Sequence, residues 1–148
     1  MIKSIFWSVL AIAASLTTAF VLLAAIEGVC AVLHPAPPGV DLSDMEACKA
    51  HVANYPQWLL AVAVPAWGLT TFVSVWLATR LGAYRHFAHG AAIGMLLLGA
   101  LILNLSMLPY PLWFKGANLV VLPLGIIMGI WLARIPSQPT PQLLKEPV

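Results

Sequence analysis

The 148-residue chain is 61% hydrophobic and 8% charged, with seven Lys or Arg against five Asp or Glu and a mean hydropathy of +0.95. Soluble domains carry about a quarter charged residues and disorder needs low hydrophobicity. A water-soluble enzyme, a nucleic-acid binder and a disordered chain are therefore excluded, and an integral membrane protein of about four or five spans remains.

In chain order, Lys3 precedes a first apolar run, residues 5–33, broken only by Glu27. A basic start and apolar core also suit a signal peptide. This run, however, is about twice the usual signal core, and no A-x-A site precedes a polar start. Ile26-Glu-Gly-Val29, before Cys30, places an acid in what would be a lipoprotein cleavage box, so a retained helix is expected. The prolines of His34-Pro-Ala-Pro-Pro-Gly-Val-Asp41 then forbid helix, and Gly39 supplies a turn. Asp41-Leu-Ser-Asp44 has N-cap chemistry, which predicts a short surface helix over Leu42–Ala53.

The second run, 57–79, stops at Arg80, and a link to His89 carries Arg80, Arg85, His86 and His89. The third, 88–108, is ended by Pro109-Tyr-Pro111, with Lys115 in the turn that follows. The fourth, 117–133, ends at Arg134 before a Pro-rich tail, 135–148. Each run matches the roughly 20 residues that cross a bilayer as helix, whereas strands would alternate and be about half as long. The fold class is all-α: an antiparallel bundle of four transmembrane helices in one domain, 1–134, with a surface helix in the first outer loop.

Lys3, Arg80, Arg85, Arg134 and Lys145 gather on one side of this layout, and Lys49 and Lys115 on the other with most of the acids. The positive-inside rule then puts both termini in the cytoplasm. Tyr55, Trp58, Tyr110 and Trp113 form one interfacial aromatic belt, and Trp7, Trp76, Tyr84 and Trp131 the other. Helices in lipid associate through small residues. Gly90/Gly94 and Gly125/Gly129 are G-x-x-x-G pairs; Ala24/Gly28 and Thr70/Ser74 are weaker small pairs. Pro65 and Pro123 each remove a ladder bond, which predicts kinks or simple tolerance within a membrane helix.

Glu27 is the one ionisable residue inside a predicted span, and a charge there costs several kcal/mol, on the order of 3 by insertion scales. It is either a packing residue or a proton, cation or ligand contact. Asn104, at similar depth, is a candidate interhelical hydrogen-bond partner for it. The sharper expectation is a ligand or proton site beneath the outer loops, lined by Glu27, His34, Trp67, Asn104 and Tyr110. Cys30 and Cys48 are either a disulfide on the oxidising side or, for Cys30, a small apolar packing residue. With no C-x-x-C, a redox enzyme lacks its pair. His86 and His89, at i and i+3 beside Arg85, are either a metal or haem contact or, as expected, a solvated cationic turn. No phosphate loop, Ser/His/Asp set, paired carboxylates or H-E-x-x-H is present, so no catalytic, metal or cofactor residue is assigned.

Ala66-Trp-Gly-Leu-Thr-Thr-Phe-Val-Ser-Val-Trp-Leu-Ala-Thr-Arg80, Asn104-Leu-Ser-Met-Leu-Pro-Tyr-Pro-Leu-Trp-Phe114, and Glu27 with His34 to Asp41 resemble segments of an uncharacterised group of small four-helix bacterial inner-membrane proteins. The likeness covers about residues 5 to 134 and implies the architecture, without an activity. Tyr110 stands where the group has a histidine, which speaks against a metal site here. The function expected is a non-enzymatic packing or accessory protein of the inner membrane, as a homo-oligomer or within a larger membrane complex. A transporter or binder using Glu27 and Asn104, and a lipid- or quinone-linked enzyme, are the alternatives.

Overall fold

Five helices follow one another in the computed structural model, which describes residues 2–83 and 87–135: α1 (Ile2–Leu33), α2 (Met45–Ala53), α3 (Gln57–Leu81), α4 (Phe87–Met107) and α5 (Leu112–Arg134). Among the described residues there is no strand, and α1, α3, α4 and α5 are each long and apolar enough to cross a membrane. They pack as an antiparallel four-helix bundle with α2 beside one end. Expectations for Tyr84, Arg85, His86 and the tail with Lys145 fall outside the described residues.

The bundle is organised around α3. Half of its apolar stretch is buried, against 17% for α1, and its most extensive partners are α5 and then α1. The cause lies in its sequence: Gly68, Thr70, Thr71, Ser74, Ala78 and Thr79 are all small and all buried. Small side chains let backbones approach closely, the main source of helix affinity in lipid. A Cβ on Gly125 would lie 2.8 Å from the Gly68 carbonyl, and one on Gly129 2.8 Å from the Phe72 carbonyl. Gly90 and Gly94 are equally filled, by Thr79 and by Ile126. Both expected glycine pairs are thus seams of the bundle. Ala24 and Gly28 differ: both are exposed, with nothing within 4 Å of a Cβ on Gly28.

Several hydroxyl groups in these helices donate back to the preceding turn, whereas the buried Ser74 hydroxyl has no partner. Ser15 bonds the Ala11 carbonyl at 2.7 Å and Thr79 that of Val75 at 2.9 Å, so they enter the apolar interior without a stranded donor. Two core clusters result. Val75, Ala78 and Ile93 pack with Ile12 and Ile130 near the arginine-bearing end. Leu60, Leu101, Leu105, Phe114 and Leu122 form the core near α2, and no α1 side chain belongs to that second cluster.

Several boundaries differ from the sequence reading. The short helix starts at Met45 rather than Leu42, because Asp44 is the cap, accepting from the Ala47 N–H at 3.1 Å. Asp41 instead closes a preceding turn through the Ser43 N–H at 2.9 Å. Lys115 lies within α5 rather than in a turn, since α5 begins directly after Pro111, where proline's fixed φ suits a helix start. Both α3 and α5 run on through Pro65 and Pro123. At the far end Arg80 donates to the Ala133 and Ile135 carbonyls at 3.5 and 3.3 Å, a cationic cap on α5. Arg134 lies 5.5 Å from the Phe87 ring centroid.

Candidate functional site: a cavity between the helices

Near α2 the bundle is incomplete. α1 packs on α3 along its length but meets α4 only slightly, and between them lies a cavity of about 340 Å³. Glu27 and Leu23 form one wall, Ala100 and Asn104 the opposite one, with Trp67, Thr70 and Thr71 of α3 behind. Leu101 and Leu122 complete an apolar floor. The mouth is the gap between α1 and α4, where Glu27 and Ala100 are exposed. A second depression, between α1 and α3, is larger at about 550 Å³ but is lined almost wholly by aliphatic side chains. Ligand sites combine apolar walls with a few convergent polar groups, which selects the smaller cavity.

Two of its polar side chains carry an unpaired buried atom. The Trp67 Nε1 donor and the Asn104 Oδ1 acceptor are buried without a hydrogen-bond partner. Among the described residues no hydrogen bond or ion pair engages the Glu27 carboxyl. A direct Glu27–Asn104 bond was one expectation; the two residues instead face each other across open space. Thr70 and Thr71 donate their hydroxyl protons to the Ala66 and Trp67 carbonyls at 2.9 and 3.0 Å.

An aromatic layer closes the cavity towards α2. Trp67 meets Phe114 edge-on at 5.4 Å and Tyr110 at 6.4 Å, and Tyr110 lies 4.7 Å from Phe114. A void of only about 10 Å³ remains among Glu27, Tyr55, Trp67 and Tyr110, too small to pass more than a water. Burial raises the Tyr110 phenol above its ordinary range, so it stays neutral and its ring packs as an apolar plug.

Of the five residues expected to share a site, Glu27, Trp67 and Asn104 line the cavity and Tyr110 roofs it. His34 does not join them. It stacks on His51 at 4.6 Å, and Tyr55 stands edge-on to both at 5.0 and 5.3 Å, beside a separate cleft under the Pro-rich loop. The stack turns His34 away from Glu27 although both lie at one end of α1. Cys30 and Cys48 are free thiols, Cys30 buried as a small apolar residue and Cys48 half-buried on α2. Among the described residues no His, Cys, Asp and Glu group is arranged to hold a metal.

Sequence reasoning missed the His34–His51–Tyr55 cluster, whose signal was the i, i+4 spacing of His51 and Tyr55 across the end of α2. It also missed Asn118, fully buried on α5 with Nδ2 donating to the Phe114 carbonyl at 2.9 Å. Placing the fourth span from 117 left that residue at an expected helix edge. Fold and cavity together define an all-helical bundle of membrane-crossing length with a laterally open, largely apolar chamber that carries a few polar groups. Comparisons with protein-family models, curated proteins and solved structures give no match.

Proposed function

We propose that the chain is a non-enzymatic, multi-pass protein of a bacterial inner membrane that binds a small amphipathic molecule in the cavity between α1 and α4. One observation carries this reading: Trp67 Nε1 and Asn104 Oδ1 are buried without partners on side chains that line the same cavity as Glu27. A buried, unpaired polar group costs about 1–3 kcal/mol, and a ligand that pairs both atoms recovers that cost on binding. The test is native mass spectrometry of the protein released from mild detergent. A small molecule that stays bound to the wild type and is lost from Asn104→Leu and Trp67→Phe supports the reading. A wild-type mass equal to the bare chain, after extraction into several detergents, overturns it.

A second reading, an accessory subunit or homo-oligomer, is favoured by the open Ala24/Gly28 face of α1. The same spectra address it, since a strictly monomeric particle with no companion protein counts against it. Cytoplasmic termini are supported by Lys3, Arg80 and Arg134 lying at one end of the bundle and Lys49 and Lys115 at the other.

A further inference from the structure

We propose that the small void at the α2 end of the bundle is a site for one ordered water, through which Glu27 exchanges its proton with the aqueous phase on that side, with Tyr55 as the gate. This role needs no occupant in the larger cavity. Glu27 lines both spaces: the cavity and, with Cys30, Tyr55 and Tyr110, the separate void of about 10 Å³. One water needs about that much room, together with two to four polar partners. The void offers the Glu27 carboxyl and the Tyr55 and Tyr110 hydroxyls. Among the described residues none of these groups makes a hydrogen bond within the protein. Neither phenol oxygen is sealed in the packing as Trp67 Nε1 and Asn104 Oδ1 are. Leu59, Leu60, Ala63 and Phe114 complete an apolar lining, which leaves a confined water those oxygens as partners.

The surroundings of Tyr55 locate the entrance. It borders the void and stands edge-on to His34 and His51 at 5.0 and 5.3 Å. Those two imidazoles line the wider cleft under the Pro-rich loop, so one phenol ring separates the void from that cleft. Towards the arginine-bearing end the interior is instead stopped by Val75, Ala78 and Ile93 with Ile12 and Ile130, an apolar cluster. A tyrosine hydroxyl both donates and accepts, so a proton is passed when the oxygen accepts one from outside and releases its own to the water beyond. Burial pushes the Tyr55 phenol up to about 12 and raises that of Tyr110, so both stay neutral relays. The titratable groups facing Glu27 are Cys30 on its own helix, Cys48 of α2 and the two tyrosines. From α3 and α4 no titratable side chain lines the cavity, and no cation lines either space. The incoming proton comes to rest on the Glu27 carboxylate, and it leaves by the same water.

The experiment titrates Glu27 from each face in turn. Sealed spheroplasts and inverted vesicles carrying the full chain are treated with dicyclohexylcarbodiimide, which modifies protonated carboxyls in apolar surroundings. Mass spectrometry of the purified chain reads the adduct on Glu27, and thiol labelling of Lys49→Cys identifies which preparation presents α2 to the medium. Lowering the medium from about pH 8 to about pH 5 should raise the adduct several-fold in that preparation. The same change in the opposite preparation, its lumen held at about pH 8, should leave the adduct unaltered. An equal response from both faces, a response from the opposite face alone, or none from either overturns the one-sided route. The gate is tested in nanodiscs by the rate at which the Glu27 carboxyl proton exchanges for deuterium, followed in the infrared band that Glu27→Gln lacks. Tyr55→Phe keeps the ring and removes the hydroxyl; it should slow exchange about fivefold or more, the factor that one lost hydrogen bond is worth. Trp113→Phe, at the same end but outside the void, should leave the rate unchanged. An unchanged unfolding temperature establishes that Tyr55→Phe is folded; if it is not, Tyr110→Phe serves instead, with slower exchange again expected. Exchange as fast as in the wild type in the folded variant overturns the relay.

Discussion

Single side chains decide how the two ends of the chain behave in water and in lipid. The His34–His51 stack holds two imidazoles face to face at 4.6 Å. Burial, helped by the neighbouring His34, lowers the proton affinity of His51 below the ordinary histidine range. The other titratable groups near the stack are Tyr55, Cys48, Cys30 and Glu27, and the Tyr55 phenol is pushed up to about 12 by its own burial first. Its hydroxyl therefore stays protonated while the His51 imidazole titrates. Because the folded state takes up the proton less readily than the unfolded one, stability is complete above the unfolded histidine value of about 6.5 and is lost as pH falls through the lower folded value. Thermal unfolding in detergent should occur at a lower temperature at about pH 5 than at about pH 8, and His51→Gln should flatten much of that difference. At the same end the Trp113 Nε1 donates to Gln57 Oε1 at 2.7 Å. Trp113→Phe should cost about 1 kcal/mol by chemical denaturation, the usual net worth of such a bond.

Among the helices, the glycine seams make a sharper claim. Gly125→Val inserts carbon where the Gly68 carbonyl lies 2.8 Å from the first added atom, and both partners are backbone, which cannot rotate away. Overpacking of this kind costs about 1–3 kcal/mol, read as a lower unfolding midpoint in bicelles. Gly28→Ala meets nothing within 4 Å and should stay within about 0.5 kcal/mol of wild type. The paired G-x-x-x-G spacing of α4 and α5 was legible in the sequence because small residues four apart lie on one face. The same spacing at Ala24 and Gly28 misled, since a face is defined by spacing but its partner is not. The cavity escaped the sequence for the same reason. Glu27, Trp67 and Asn104 were singled out by chemistry and depth, whereas the gap between them exists only because α1 leans on α3 and away from α4. Only tertiary packing, absent from any linear pattern, separates His34 from that group.

For the molecule as a whole, the distribution of charge that excluded a soluble protein also arranges the bundle. At 32 residues α1 is roughly 48 Å long at 1.5 Å per residue, well beyond the roughly 30 Å of hydrocarbon. It must tilt or project, and its end near α2 is where it parts from α4. Reporter cysteines at Lys3 and Arg134 should be labelled from one side of intact membranes, and those at Lys49 and Lys115 from the other. Labelling of all four from one side would refute the four-span layout.

The dominance of α3 has a consequence for biogenesis. Its glycine- and hydroxyl-rich face finds its most extensive partner in α5, the span that follows the other three in the chain. While the ribosome is still making that segment, α3 rests against α1 and α4 with Gly68, Phe72 and Val75 uncovered on the α5 side. The nascent bundle therefore acquires its tightest seam late, and an intramembrane chaperone or protease would have its best opportunity in that interval.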